Sequence, residues 1–320
     1  MDMTSLYYFA ELAKDLHMTN TANRLFISQQ TLSNHIQRLE EYFGTRLLYR
    51  KPSLALTSAG EYVLAFAKIV NNEQTNLRDI LSDIELQERG IIRFGASTLR
   101  MNACMPVVLP VFSERYPNVE MRLTNNVTDR LEPMVEDGEL DMAIIAGNRS
   151  NERIVTEPLL NDQIYLVVSD RLLHQFYGEE AGEIKQKARE GALLRWFEKI
   201  PFSILNNRMG RRIQQCFDEQ KVHPRIYLST DYTRVSTVTG LKGLAACFTT
   251  QMDLIAHRDE IQEDTNIFPL LYKGNRMYQD LFLVRSRDRY LAHYSRDFVD
   301  LLHGYFDEVE HTEVSRTAGE

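Results

Sequence analysis

The 320-residue chain has only three cysteines and one tryptophan, carries no excess of positive charge, and lacks any long uncharged apolar run. Each shortage removes a class of protein. Cys104, Cys216 and Cys247 are odd in number and far apart, which excludes a disulfide framework or a paired-cysteine metal site and fits a reducing cytoplasm. The longest apolar stretches, such as Met105–Phe112 and Ile164–Val168, fall far short of the roughly 20 residues of a membrane-spanning helix. Met1-Asp2-Met3-Thr4-Ser5 shows no basic segment leading into an apolar core, so no secretory signal is expected. HExxH, GxSxG, Walker and GxGxxG patterns are missing, and the histidines are scattered, so neither an enzyme nor a bound cofactor or metal is expected. What remains is 43% hydrophobic and 26% charged, an ordinary soluble composition with length for about two domains.

The net charge of −8 does not advertise a nucleic-acid binder, but its distribution is uneven. Residues 1–60 carry Lys14, Arg24, Arg38, Arg46, Arg50 and Lys51 against five carboxylates, a net of +1, and the remainder carries −9. This first segment reads as short helices. Leu6, Phe9, Leu12 and Ala13 recur at helical spacing, Thr19 opens a second stretch, and Phe26-Ile27-Ser28 is a tight break with Ser28 as N-cap of the next helix. In that helix Leu32, Ile36 and Leu39 point to one side, and the opposite side carries Gln30, Ser33, Asn34, Gln37 and Arg38. Amide forks pair bidentately with adenine and guanidinium with guanine in a major groove. A polar helix face is more often merely solvated; here the preceding short helix makes a helix-turn-helix. Gly44 ends the unit, and Leu47–Arg50 and Leu54–Leu56 suggest a two-stranded wing carrying Arg46, Arg50 and Lys51 towards phosphates.

A long helix follows, opened by a capping box at Ser58 and Glu61 and reaching about Glu88. Tyr62, Phe66, Ile69, Leu77, Ile80, Leu81 and Ile84 trace one apolar stripe, which a lone helix cannot bury. Self-association answers that need, and packing onto the chain's own body is the alternative. Beyond Gly90 strands alternate with helices: strands at Ile91–Ala96, Val119–Leu123, Met142–Ala146, Ile164–Val168, Phe202–Leu205, Ile226–Leu228, Leu244–Phe248 and Met277–Val284, with helices including Met105–Tyr116, Glu183–Lys199 and Tyr290–Tyr305 between and after them. This alternation predicts two parallel sheets covered by helices.

The residues Leu6-Tyr7-Tyr8-Phe9, Thr19-Asn20-Thr21-Ala22, Leu25, Ser28-Gln29-Gln30-Thr31-Leu32-Ser33, Ile36, Leu39-Glu40, Gly44-Thr45-Arg46-Leu47, Arg50 and Leu56-Thr57-Ser58-Ala59-Gly60 stand in register over about fifty positions. Through them the chain resembles the LysR-type transcriptional regulators; Thr21, Gln30 and Leu48 depart from the family pattern. The likeness continues more loosely to about residue 305, through Gly90–Gly95, Tyr116-Pro117-Asn118-Val119, Gly138–Ile144, Pro201–Leu205 and Gly240–Ala245.

That resemblance implies a multidomain α plus α/β protein. Residues 1–59 would be a winged helix-turn-helix, 60–88 a linker and dimerisation helix, 89–310 an effector-binding domain and 311–320 a flexible tail. The effector-binding domain would have two α/β lobes of periplasmic-binding-protein type, lobe I at about 89–161 and 266–310 and lobe II at about 162–265. The chain would cross between them near Leu160–Gln163 and Thr265–Phe268. The implied function is sequence-specific transcription regulation in the cytoplasm by a homodimer or homotetramer on a partly palindromic operator. RNA polymerase would be a further partner and a small polar or anionic metabolite the effector.

Base contacts are expected from Gln29, Gln30, Ser33 and Asn34, with Ser28 and Thr31 at the helix start and Arg38, Arg46, Arg50 and Lys51 on phosphates. Ligands of α/β sheets sit beyond the strand ends, which places Ser97, Thr98, Thr128, Ala146, Gly147, Asn206, Phe248 and Thr249 at the effector site. Ser, Thr and Asn cap helices widely, and any single one of these positions is more often a cap than a ligand contact. Arg100 and Arg208 stand where a carboxylate can be neutralised, a solvated surface role being the equal alternative. A solute-binding protein without transcriptional output is the competing function, and an enzyme on two α/β lobes a third.

Overall fold

A computed structural model describes residues 2–51, 53–84, 89–147 and 152–314. At the amino end, α1 (Met3–Ala13) starts at Asp2, whose carboxylate accepts from the Ser5 N–H, and buries Leu6, Phe9 and Leu12. The short α2 (Met18–Arg24) leads to α3 (Gln29–Phe43), opened by Ser28 accepting from the Thr31 N–H and closed by Gly44 at φ 65°. Leu32, Ile36 and Leu39 of α3 are fully buried against α1, as their spacing requires. The wing is the antiparallel pair β1 (Leu48–Tyr49) and β2 (Ala55–Leu56).

The long α4 (Ser58–Ile84) is capped one residue earlier than the expected box. Thr57 Oγ1 accepts from the Gly60 N–H at 2.9 Å and donates to the Arg46 carbonyl at 2.8 Å, so Ser58 is already inside the helix. Thr57 wins because its hydroxyl ties the wing as well as the helix end. Gly60 is required there: a Cβ would run into the Leu47 carbonyl oxygen. The expected reach of this helix to Glu88, and the tail beyond residue 314, lie outside the described residues.

Next comes a parallel trio. β3 (Arg89–Ala96) pairs along its length with β4 (Asn118–Asn125) and at its end with β5 (Met142–Ala146). α5 (Thr98–Arg115) and α6 (Thr128–Glu136) connect them. α5 begins seven residues before the expected Met105 and continues through Pro106 and Pro110, both on its exposed side, where water can satisfy the carbonyls that prolines leave unbonded. β6 (Ile154–Ser169) then runs for 16 residues out of this lobe into the second.

The second lobe holds α7 (Asp170–Tyr177), α8 (Ala181–Ala188), β7 (Pro201–Leu205), α9 (Arg208–Glu219), β8 (Arg225–Thr230), α10 (Thr233–Leu241), β9 (Cys247–Thr250), α11 (Gln251–Ala256) and β10 (Thr265–Pro269). The helix expected over Glu183–Lys199 is broken. Gly191 packs on Leu271 and Ala192 bridges to Leu270, so only α8 and a 3-10 turn at Leu194–Phe197 remain helical. The hairpin β11 (Leu271–Tyr272) and β12 (Asn275–Arg276) leads to β13 (Tyr278–Ser286), which returns to the first lobe, and α12 (His293–His311) closes the chain.

The sheets are mixed, not purely parallel. β3 with β4 and β5, and β7 with β8, are parallel. By contrast β13 is antiparallel to β5 and β6, and β9 and β10 are antiparallel to β6. A strand that leaves one lobe for the other needs a partner running back, and β6 and β13 supply that pair. Pairing Tyr278 with Gln163 places the return about ten residues beyond the expected Thr265–Phe268, which instead pairs inside the second lobe as β10. Two phenylalanine-rich cores result, one around Phe94, Phe112 and Phe298, the other around Phe202, Phe217 and Phe248.

Candidate functional site

On α3 the polar residues face outward. Ser28, Gln29, Gln30, Thr31, Asn34 and Arg38 are exposed and Ser33 half-buried, as are Arg46, Arg50 and Lys51 exposed around the wing. Their geometry is partly set in advance. Gln30 Nε2 donates to Asn34 Oδ1 at 3.0 Å, which leaves the Asn34 amide N–H groups facing away from α3's core. Thr19 Oγ1 donates to Gln29 Oε1 at 3.3 Å, tying the start of α2 to the start of α3. Glu40 enters the sequence reading only as a residue of the family resemblance, with no role, yet it holds the wing: Oε1 accepts from the Leu47 and Leu48 N–H groups at 2.9 and 3.3 Å, and Oε2 pairs with Arg50 at 3.4 Å. Behind the helices, Asp15 works against a small burial cost: hydrogen bonds from Thr21, Arg24 and the His17 N–H hold its carboxyl down at about 2.

The linker helix sorts its faces. Tyr62 (81% exposed), Phe66, Ile69, Leu77, Leu81 and Ile84 (71%) lie open, and Ile80 is half-buried. Its polar residues instead dock onto the first lobe. Arg289 donates to Asp79 Oδ2 and Asp141 Oδ1, both at 2.8 Å, and to Asn76 Oδ1 at 2.9 Å. Asp83 accepts from the Tyr290 hydroxyl at 2.8 Å and from the His293 ring at 2.6 Å. Burial raises the Asp79 carboxyl in spite of Arg289.

Between the lobes, strand ends β3, β5 and helix starts α5, α6 and α9 bring together Ser97, Thr128, Ala146 and Gly147. Ser97 Oγ accepts from Arg100 Nη1 at 2.8 Å, and Thr128 Oγ1 accepts from the Ala146 N–H at 3.0 Å. Arg208, from the second lobe, donates to the Ala146 carbonyl at 2.5 Å and lies over Gly147, where φ is 80° and a Cβ would meet Arg208 Nη2 at 2.8 Å. Arg100 is buried rather than solvated: burial brings its guanidinium down to about 10, and its Nε has no hydrogen-bond partner. Facing it is Asp162, pushed up to about 6 by burial and accepting from the Met252 N–H at 3.0 Å. Sequence reasoning missed Asp162, although the polar run Asn161-Asp162-Gln163 interrupting an apolar strand was a usable signal.

The remaining expected residues do not join this cluster. Thr98 and Asn206 are exposed, and Asn206 Oδ1 accepts from Ser229 Oγ at 2.7 Å. Phe248 belongs to the second core, stacked on Phe202 at 5.8 Å. The buried Thr249 hydroxyl donates to Asp253 Oδ2 at 2.6 Å. β9 is buried on both faces, so these two side chains serve packing and an internal hydrogen bond rather than a ligand.

A winged helix-turn-helix, joined by one long helix to a two-lobed α/β module with charged groups at its strand ends, defines a class: reading-head proteins with an attached sensor-type module. Residues 3–61 match the family described as bacterial regulatory helix-turn-helix protein, lysR family, and residues 86–307 match the LysR substrate binding domain. The chain belongs to the LysR family.

The HTH-type transcriptional activator IlvY of Haemophilus influenzae is 28% identical over 247 residues, covering 76% of this chain and 78% of IlvY. An uncharacterised HTH-type transcriptional regulator of Bacillus subtilis, YkuM, is 29% identical over 52% of this chain and 57% of its own length. The chain spans about half the length of most of the curated relatives it matches, IlvY being covered further. The fold is that of a point variant of full-length OxyR from Pseudomonas aeruginosa, at TM-score 0.66 and 18% identity over 99% of this chain and 97% of that one. Full-length CbnR complexed with its target DNA matches at TM-score 0.57 and 18% identity, over 95% and 99%. No helix among the described residues is long and apolar enough to cross a membrane.

Proposed function

We propose that this chain is a cytoplasmic, sequence-specific transcriptional regulator. α3 reads operator bases through Gln29, Gln30, Ser33 and Asn34, and Arg38, Arg46, Arg50 and Lys51 hold phosphates. A small polar or anionic metabolite binds between the lobes, beside Ser97, Arg100, Thr128, Gly147 and Arg208. The working division is a reading head over 1–59, a linker helix over 60–88 and a sensor over 89–310, paired through the open stripe of α4 into a dimer or tetramer that engages RNA polymerase.

One observation carries this reading: α3 buries Leu32, Ile36 and Leu39 and presents an amide and hydroxyl face beside three exposed wing cations. A solute-binding module without transcriptional output has no use for that face. Ligand acts only through unequal affinity for two lobe arrangements, and these change the spacing of paired reading heads on the operator. The test is selection of genomic DNA fragments by the purified protein, with and without a metabolite pool. A reproducible, partly palindromic site whose occupancy or footprint changes with the pool is expected. Enrichment of no common sequence contradicts the reading.

A further inference from the structure

Phe26 has no role in the account so far. α2 closes with the Phe26 N–H bonded to the Asn23 carbonyl at 3.1 Å and the Ile27 N–H to the Ala22 carbonyl at 3.0 Å, while Phe26 itself sits at φ 55°. This double closure is the helix ending in which glycine normally takes the left-handed position, because a Cβ is unfavourable there. Burial of a ring would offset that cost, but Phe26 is 96% exposed, more than any other large apolar side chain among the described residues. Its neighbours Leu25 and Ile27 pack into the core instead. The free chain therefore carries a strained, solvent-facing aromatic ring where glycine fits better. Chain geometry keeps that ring close to the start of α3, since three residues span at most about 11 Å.

We propose that the Phe26 ring packs against deoxyribose at the lip of the groove that α3 enters. This rests on the reading of α3 as the DNA-contacting helix. Sugar is favoured over base because Phe26 precedes the helix whose first turn, Gln29 and Gln30, meets the base edges. Deoxyribose is also the apolar part of the lip, present at every nucleotide. The contact is sequence-independent, and it positions the reading helix rather than adding to its code.

The experiment uses the full chain, a random-sequence duplex pool and the fragments that the wild type enriches from it. Phe26→Gly should melt no lower than wild type, up to about 2–4 °C higher. It should bind enriched and random duplexes alike about tenfold more weakly, the loss of a partly buried ring. The slope of log affinity against log salt should not change, because an apolar contact releases no counterions. Phe26→Tyr should bind as wild type does, and replacing thymine by uracil in the enriched fragment should leave the glycine effect intact.

Wild-type affinity in Phe26→Gly overturns the proposal. So does an altered salt slope, or a loss confined to the enriched or thymine-containing duplex, which marks a base contact instead. If the wild type enriches no fragment and binds random duplex without salt dependence, the reading of α3 itself fails and the proposal falls with it. Wild-type binding alongside an unaffected glycine variant sinks the proposal alone.

Discussion

Replacing Arg289 with methionine is expected to destabilise the effector module by about 3–5 kcal/mol at neutral pH, read as a shifted midpoint in urea unfolding. Arg289 is about nine-tenths buried and holds two carboxylates, Asp79 on the linker helix and Asp141 after α6. Asp141 keeps the Arg93 N–H at 2.7 Å when the guanidinium is removed, but among the described residues Asp79 is left with only the Tyr294 hydroxyl at 3.2 Å. The loss comes from stranding a charge, not from the net worth of the pair, so Arg289→Met with Asp79→Leu should recover most of it.

The pH dependence follows from the same carboxyl. Burial raises Asp79 above its unfolded value, so the folded state binds the extra proton as pH falls. With Arg289 gone that shift grows, and the deficit of the variant should shrink as pH falls from neutrality towards the ordinary carboxylate range. A deficit that is constant over this window, or that widens on acidification, contradicts the assignment. This ion cluster fixes the linker helix to the first lobe.

Ile69→Glu combined with Leu77→Glu is expected to turn the oligomer into monomers without harming the fold, as measured by sedimentation. Both side chains are more than half exposed in the single chain, so the monomer loses nothing by the change. In a two-fold pair each is buried twice. At about 1.5 kcal/mol per side chain, four lost burials weaken association by about 6 kcal/mol, roughly four orders of magnitude, before charge repulsion is added. Unchanged sedimentation of the double variant contradicts pairing through α4. The same helix uses Asn76, Asp79 and Asp83 against its own chain, so its polar face is satisfied internally and its apolar face is the one left open.

Much of the reading head was legible because local and tertiary signals agree there: Ser28 caps, Leu32, Ile36 and Leu39 repeat at helical spacing, and Gly44 stops the helix. Illegible features depend on distant partners. Phe26 takes a conformation that its own propensity opposes, imposed by closure of α2. Thr57 rather than Ser58 caps α4 because of Arg46, eleven residues back. The expected strand Leu244–Phe248 put Phe248 and Thr249 at its end, as ligand-site residues are, but both lie within β9, which is buried on both faces, and periodicity carries no sign of that. Asp162 made β6 read as a short strand, although its polar side chain marks the crossing between lobes. Arg289 is one of three alternating arginines with Arg285 and Arg287, and nothing local marks it as the one whose partners Asn76, Asp79 and Asp141 lie on α4 and after α6. At the cleft, sequence leaves Arg100 and Arg208 equally readable as carboxylate partners or as surface arginines, and the burial of Arg100 and the contact of Arg208 with Ala146 set them apart.

If the outward amides of α3 read bases, Asn34→Ala removes one of the readers. Affinity for a selected operator and for random duplex is measured over a salt series. The expected loss is about 1–3 kcal/mol on the operator alone, with random binding and the salt slope preserved. An equal loss on both duplexes, or none on either, would contradict base reading by α3.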